Sequence, residues 1–152
     1  MRAREVMTTG VVTVSPAAAA EEGWQMMRAQ RIHHLLVGSL AKPIGVLSAR
    51  DLGGRGGASI RKARSVRDLM EAEIVTVDEL EPVRRIANVM RGRSIGCVFV
   101  TSGQRVCGII TVSDLLELIG RGSDRPMKLT ERQALHNRVP HRRSIGGAAG
   151  VW

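Results

Sequence analysis

Gly45-Val46-Leu47-Ser48-Ala49-Arg50-Asp51-Leu52 returns 63 positions later as Gly108-Ile109-Ile110-Thr111-Val112-Ser113-Asp114-Leu115. Both segments read glycine, two aliphatic residues, a hydroxyl residue, two variable positions and aspartate. The same offset holds in the N-terminal direction. Ala3-Arg4-Glu5-Val6-Met7 returns as Val66-Arg67-Asp68-Leu69-Met70, Val12-Thr13-Val14 as Val75-Thr76-Val77, and Met27-Arg28 as Met90-Arg91. A period kept without a gap over residues 3–52 means one supersecondary unit used twice. A unit of that size seldom buries its apolar surface alone, so the two copies are expected to pack together.

Within each copy the apolar pattern predicts strand, helix, strand, strand, helix. Val11-Val12-Thr13-Val14 and Ile74-Val75-Thr76-Val77 are short β-rich runs, closed by Ser15-Pro16 and Asp78. Val83, Ile86, Ala87 and Met90 fall at i, i+3, i+4, i+7, and Ala20, Gly23, Trp24 and Met27 take the same phases, with Pro82 suited to a first helical position. Leu35-Leu36-Val37 with Ile44-Gly45-Val46-Leu47, and Cys97-Val98-Phe99-Val100 with Val106-Cys107-Gly108-Ile109-Ile110, read as hairpins. A closing helix is expected from Ser48 and from Thr111, longer in the second copy through Leu116, Leu118 and Ile119. The fold class is therefore α/β in the broad sense, α+β by arrangement. Repeat one is assigned to residues 1–57, a linker to 58–65, repeat two to 66–120 and a basic C-terminal arm to 121–152, with a short helix near Leu129 to Leu135. Gly53 to Arg64 holds four glycines and no apolar period, which predicts a flexible basic connector.

Composition narrows the function classes. The chain has 152 residues, 43% of them hydrophobic, enough for one core shared by two halves. No run approaches 18 apolar residues and no signal-like core follows Met1, so the protein is expected to be soluble and cytoplasmic, with no membrane insertion. Cys97 and Cys107 lack metal-site or disulfide spacing and read as core thiols. Neither has a histidine and an acid in register, and no phosphate-loop or dinucleotide fingerprint occurs, so no catalytic residue and no metal site is assigned. The net charge of +9 favours anionic partners, but residues 121–152 supply +5 of it.

The closing motif has chemistry of its own. A Ser or Thr at a strand end, followed by free helix-terminal N–H groups, suits a phosphate, and an aspartate three residues on can accept hydrogen bonds from a ribose diol. The plainer alternative is that Ser48 and Thr111 cap helices whose first turns Asp51 and Asp114 favour electrostatically.

The Arg-Glu-Val-Met and Arg-Asp-Leu-Met openings, the Val-Thr-Val strands and the two closing motifs, repeated in register over about residues 1–120, resemble the tandem CBS (cystathionine β-synthase) domain, the Bateman module. The resemblance implies two β-α-β-β-α repeats related by a pseudo-two-fold axis, an adenosine-containing ligand (AMP, ADP, ATP or S-adenosylmethionine) in clefts between them, no catalysis, and a sensor acting through a homodimer or a regulated partner protein. Carried over by position, Asp51 and Asp114 would hold ribose hydroxyls and Ser48 and Thr111 the first phosphate or the ribose. Val11, Val12, Ile74 and Val75 would wall the adenine, and Leu35, Leu36, Val98 and Phe99 would flank it. Where many members carry proline, this chain has Leu36 and Phe99.

The repeats differ at the charged positions. His33, His34 and Arg50 are matched by Gly96, Cys97 and Ser113. This difference assigns the phosphorylated end of a ligand to repeat one and a nucleoside, or nothing, to repeat two; His33 as a solvated turn residue and His34 as a core histidine is the competing account. A second function class is nucleic-acid binding by the arm through Arg138, His141, Arg142 and Arg143. The chain has no tyrosine, one phenylalanine and two tryptophans, so stacking platforms for single strands are scarce.

Overall fold

The computed structural model describes residues 1–121; the basic arm, its expected helix near Leu129 to Leu135 and its arginine patch lie outside the described residues. Two three-stranded sheets form, each from one repeat. In the first, β1 (Thr13–Val14) runs parallel to β2 (His34–Gly38), which pairs antiparallel with β3 (Pro43–Ser48). In the second, β4 (Thr76–Asp78), β5 (Cys97–Ser102) and β6 (Arg105–Thr111) repeat the arrangement. Helices α2 (Ala20–Gln30) and α5 (Val83–Arg93) fill the parallel crossovers, with Ala20, Gly23, Trp24 and Met27 buried on one and Ile86 and Met90 on the other. The helical spacing in the sequence thus marked the core face. Pro82 sits at the cap of α5, directly before Val83.

The openings of the repeats exchange places. Helix α1 (Ala3–Val6) puts Ala3 and Val6 into the core of repeat two, with Ile86, Met90, Val98, Val100 and Ile110. Helix α4 (Val66–Leu69) puts Val66 into the core of repeat one, with Leu35, Val37, Leu47 and Leu52. Reciprocal backbone hydrogen bonds fasten each crossing: Thr8 with Ile109 at 2.9 and 3.0 Å, and Glu71 with Val46 at 2.9 Å in both directions. Residues 8 and 71 are one period apart, as are 46 and 109, so each contact is the other's image under a pseudo-two-fold operation.

Two glycines admit these crossings. A Cβ on Gly108 would lie 2.4 Å from Met7 Sδ, and one on Gly45 would lie 2.7 Å from Met70 Sδ and 2.9 Å from the Glu71 carbonyl oxygen. The opening methionine of each repeat therefore packs on the closing glycine of the other, which joins two motifs that lie far apart in sequence. A third cluster, Leu36, Phe99 and Val106 with Val11, Val46, Ile74, Cys97 and Ile109 around it, cements the sheets to each other.

Two expectations need correction. No closing helix follows Ser48: residues 49–53 form turns and Gly54–Gly56 a single 3₁₀ turn. Gly53 and Gly54 adopt φ of 77° and 62°, left-handed values that end a helix, whereas the second copy has Leu115-Leu116-Glu117-Leu118-Ile119 there and forms α6 (Val112–Arg121). The connector is also not the loose tether its glycines suggested. It carries α3 (Ala58–Arg61), and Arg61 is only 4% exposed. Its guanidinium donates to the Leu52 and Gly54 carbonyls at 2.8 Å, pairs with Glu21 at 2.6 Å and lies 4.6 Å from the Trp24 ring centroid. One long side chain supplies the tertiary anchor that apolar periodicity does not register.

Candidate functional site between the repeats

The pleat of β2 and β5 decides which side chains reach the space between the repeats. Successive residues point to opposite faces, so His34 and Leu36 share one face and Leu35 and Val37 the other. Leu35 and Val98 are fully buried in the cores of their own repeats, under α2 and α5, and do not line the cleft. Leu36 and Phe99 lie on the inner face but are sealed in the inter-sheet cluster, at 0% and 1% exposure, and form a floor. None of these four residues is among those that line the cavity between the repeats.

A cavity of about 480 Å³ opens between the repeats. Repeat one contributes Thr8, Gly10, Val11, Val12, Arg31, Ile32, His33 and His34; repeat two contributes Gly96, Ile109, Thr111, Val112, Ser113 and Asp114. Of the residues singled out from the sequence, Val11, Val12, His33, His34, Thr111, Ser113 and Asp114 come together here. Ser48, Arg50, Asp51, Ile74, Val75 and Cys97 do not line this cavity. Ile74 and Cys97 pack at the inter-sheet cluster, Val75 packs against the second core, and Arg50 is exposed in the turn after β3. Arg50 is not among the residues that line the cavity, which sets the histidines of repeat one opposite the Thr-x-x-Asp motif of repeat two.

The backbone explains that pairing. Gly10, at φ 72°, turns the chain so that Val11 and Val12 run extended before β1, where the Val12 carbonyl accepts from Leu36 N–H at 3.0 Å. The His33 carbonyl accepts from Ala49 N–H at 2.9 Å and the Gly96 carbonyl from Val112 N–H at 3.1 Å. Each pre-strand turn is thereby tied to the closing segment of its own sheet. Near the pseudo-axis the two turns meet: a Cβ on Gly96 would lie 3.4 Å from His34 Nε2. An added methyl group there would make only ordinary van der Waals contact with the imidazole, so the two turns lie side by side.

Both closing motifs form reciprocal caps. Asp51 Oδ2 accepts from Ser48 N–H at 2.9 Å while Ser48 Oγ accepts from Asp51 N–H at 3.0 Å. Asp114 Oδ2 accepts from Thr111 N–H at 2.7 Å and from the Thr111 hydroxyl at 3.0 Å, and Thr111 Oγ1 accepts from Asp114 N–H at 3.3 Å. Capping and ligand binding are therefore compatible. The cap uses Oδ2 in each case and fixes the carboxylate's orientation, for Asp114 at the cavity lining.

Burial, and then the neighbouring His33, push the His34 imidazole below its ordinary pKa, while the carboxylates of Asp51 and Asp114 pull the other way. His34 is thus held neutral, a donor and acceptor rather than a resident cation. Cys97, its counterpart one period on, is pushed up to about 12 by burial and by the Asp51 charge, and is an inert thiol. Sequence reasoning missed Arg31, which lines the cavity two residues before His33. The signal was present, because its counterpart is the uncharged Ser94, the same kind of mismatch that drew attention to His33, His34 and Arg50.

Known proteins share this architecture. The CBS domain pair of protein MJ0100, crystallised with 5′-methylthioadenosine and S-adenosyl-L-methionine, superposes with a TM-score of 0.72 at 22% identity, covering 81% of this chain and 98% of that one. A CBS-domain containing protein from Agrobacterium tumefaciens gives 0.69 at 22% identity, covering 78% and 99%. Among curated proteins, a homoserine O-acetyltransferase of Methanohalobium evestigatum is 25% identical over 117 residues, 76% of this chain; the chain spans about a quarter of that relative, 23% of its length. No described helix is long and apolar enough to cross a membrane. The CBS domain family model matches residues 3–52 and 66–121, the two units that the 63-residue period delimits, and the chain belongs to the CBS domain family.

Proposed function

We propose that this protein is a regulatory module that binds an adenosine-containing ligand in the cleft between its repeats. The observation that carries the reading is the composition of the cavity: an apolar wall at Val11, Val12 and Ile109, an oriented carboxylate at Asp114 with the Thr111 hydroxyl beside it, and the imidazoles of His33 and His34 across from them. An adenine fits the wall, a ribose diol needs an acceptor such as the Asp114 carboxylate, and a 5′ substituent would extend toward the histidines. The MJ0100 pair, similar in fold, was crystallised with two adenosine derivatives, which supports the same ligand class.

Because both repeats line the cavity, a ligand there couples to their relative position, and regulation follows from differential affinity for two arrangements. Helix α6 offers a route outward. Leu115 and Leu118 pack inward, while Leu116 and Ile119 are 61% and 76% exposed, an apolar face suited to self-association that sedimentation of the wild type and of Ile119→Glu would test.

The function is tested by a thermal-shift screen of the whole chain against adenosine, AMP, ADP, ATP and S-adenosylmethionine. A ligand at 100 times its Kd adds about 2.7 kcal/mol, which moves Tm by roughly 5–10 °C for a protein of this size. No shift with any of them at millimolar concentration would refute the reading.

A further inference from the structure

We infer that a second copy of this chain docks head to tail, seating the apolar stripe of its α6 in an alanine-lined groove on repeat one. The inference rests on the self-association suggested for α6 above and gives it a partner surface and an orientation. Val112, Leu116 and Ile119 are all exposed and stand at i, i+4 and i+7, one stripe over two turns of α6. That is the spacing of a helix that anchors in a groove. On repeat one, a groove of about 680 Å³ lies between the head of α2 and the connector, with Ala17, Ala19, Ala58 and Ala63 in its lining. Small side chains on one surface and large branched ones on the other are complementary in shape, and their contact removes both from water.

The internal repeat shows that each half of the molecule carries one of these surfaces and lacks the other. One period before Val112, Leu116 and Ile119 stand Ala49, Gly53 and Gly56, where no closing helix forms. One period after Ala17 and Ala19 stand the larger Leu80 and Pro82. Within one copy α6 is held on the second core by Leu115 and Leu118, which leaves its stripe open to another molecule. A two-fold axis that puts each stripe in the other copy's groove satisfies all four surfaces and closes the pair. Charge favours the same orientation. Glu21 and Glu22 at the head of α2 are matched one period on by Arg84 and Arg85 at the head of α5, and α5 carries Arg91 and Arg93 as well, with no acidic residue. Because α5 and α6 share the second core, docking stripe on stripe would bring the arginines of α5 toward their own copies. Head to tail, they approach the acidic end of α2.

Sedimentation of the whole chain tests the orientation, with wild type, Ile119→Lys in the stripe, and Ala17→Glu and Ala58→Glu in the groove. All three substitutions replace exposed side chains, and circular dichroism should show the wild-type fold in each. Wild type is expected to form a discrete dimer, and each variant should raise the dimer dissociation constant at least tenfold. An equimolar mixture of Ile119→Lys and Ala17→Glu should recover dimer, since one junction then pairs an unaltered stripe with an unaltered groove and the other sets opposite charges together. Disruption by Ile119→Lys with full dimerisation of both groove variants would mean stripe-on-stripe packing and overturns the head-to-tail arrangement alone, as does failure of the mixture to recover. A monomeric wild type overturns the self-association of α6 and this inference together, while the adenosine reading stands or falls on the ligand screen.

Discussion

His34 is where the chemistry of the two repeats meets. Its pKa is depressed, so the unfolded chain takes up a proton at pH values where the native imidazole stays neutral. Stability from this site is complete above about pH 6.5, the ordinary histidine value, and is lost as pH falls through the lowered native value. Tm is therefore expected to drop between pH 7.5 and 5.5 by more in wild type than in His34→Asn; equal slopes would show that the site is not protonation-linked. A ligand phosphate reverses the local preference by favouring the imidazolium, so affinity for an anionic ligand should rise as pH falls over the same range, measured by titration at pH 7.5 and 6.0. Gly45 offers a residue-level test of the exchanged openings. Gly45→Ala presses a Cβ on the backbone carbonyl of Glu71 as well as on Met70, while the atoms nearest a Cβ on Gly108 all belong to the side chain of Met7. Gly45→Ala should cost about 1–3 kcal/mol and Gly108→Ala less, by denaturant unfolding. The reverse order would mean that the methionine contacts, not the backbone, set the tolerance.

At the scale of elements, the helices and hairpins were legible because their signals are periodic: four buried positions of α2 and two of α5 fall where the 3.6-residue repeat put them. The first closing helix was misread because a motif shared with its partner suggested a shared structure, while the decisive residues, Gly53 and Gly54, lie just beyond it. The connector was misread for a related reason. Its order comes from one buried arginine rather than from any local pattern. Arg61→Ala should lower stability by about 2 kcal/mol, since it strips donors from two carbonyls and the charge from Glu21. For this chain that is a fall in Tm of roughly 4–8 °C, and a change under 2 °C would return the segment to the status of a tether. Within the cleft, the repeated motif together with the family resemblance marked the aspartates, and the mismatch between the repeats marked the histidines. It did not reveal that partners come from opposite repeats, because the crossing of α1 and α4 is a long-range arrangement no window of sequence records.

The whole molecule is one folding unit made of two exchanged halves. Each core borrows residues from the other repeat, Ala3 and Val6 in one direction and Val66 in the other, and Leu36, Phe99 and Val106 form a buried cluster drawn from both sheets. Each large apolar side chain so buried contributes about 1.5–3 kcal/mol against a net domain stability of about 5–15 kcal/mol, so neither repeat alone retains enough. A fragment of residues 1–62 is expected to lack cooperative thermal unfolding by circular dichroism. A sigmoidal transition would contradict the exchange. The central claim, that a ligand site is built from the histidines of repeat one and the carboxylate of repeat two, is tested most directly by calorimetric titration of ADP into wild type, Asp114→Asn and Asp51→Asn. Asparagine keeps an acceptor for the capping amide in both variants. Loss of binding in Asp114→Asn with binding kept in Asp51→Asn is the predicted result, and the opposite pattern would contradict it.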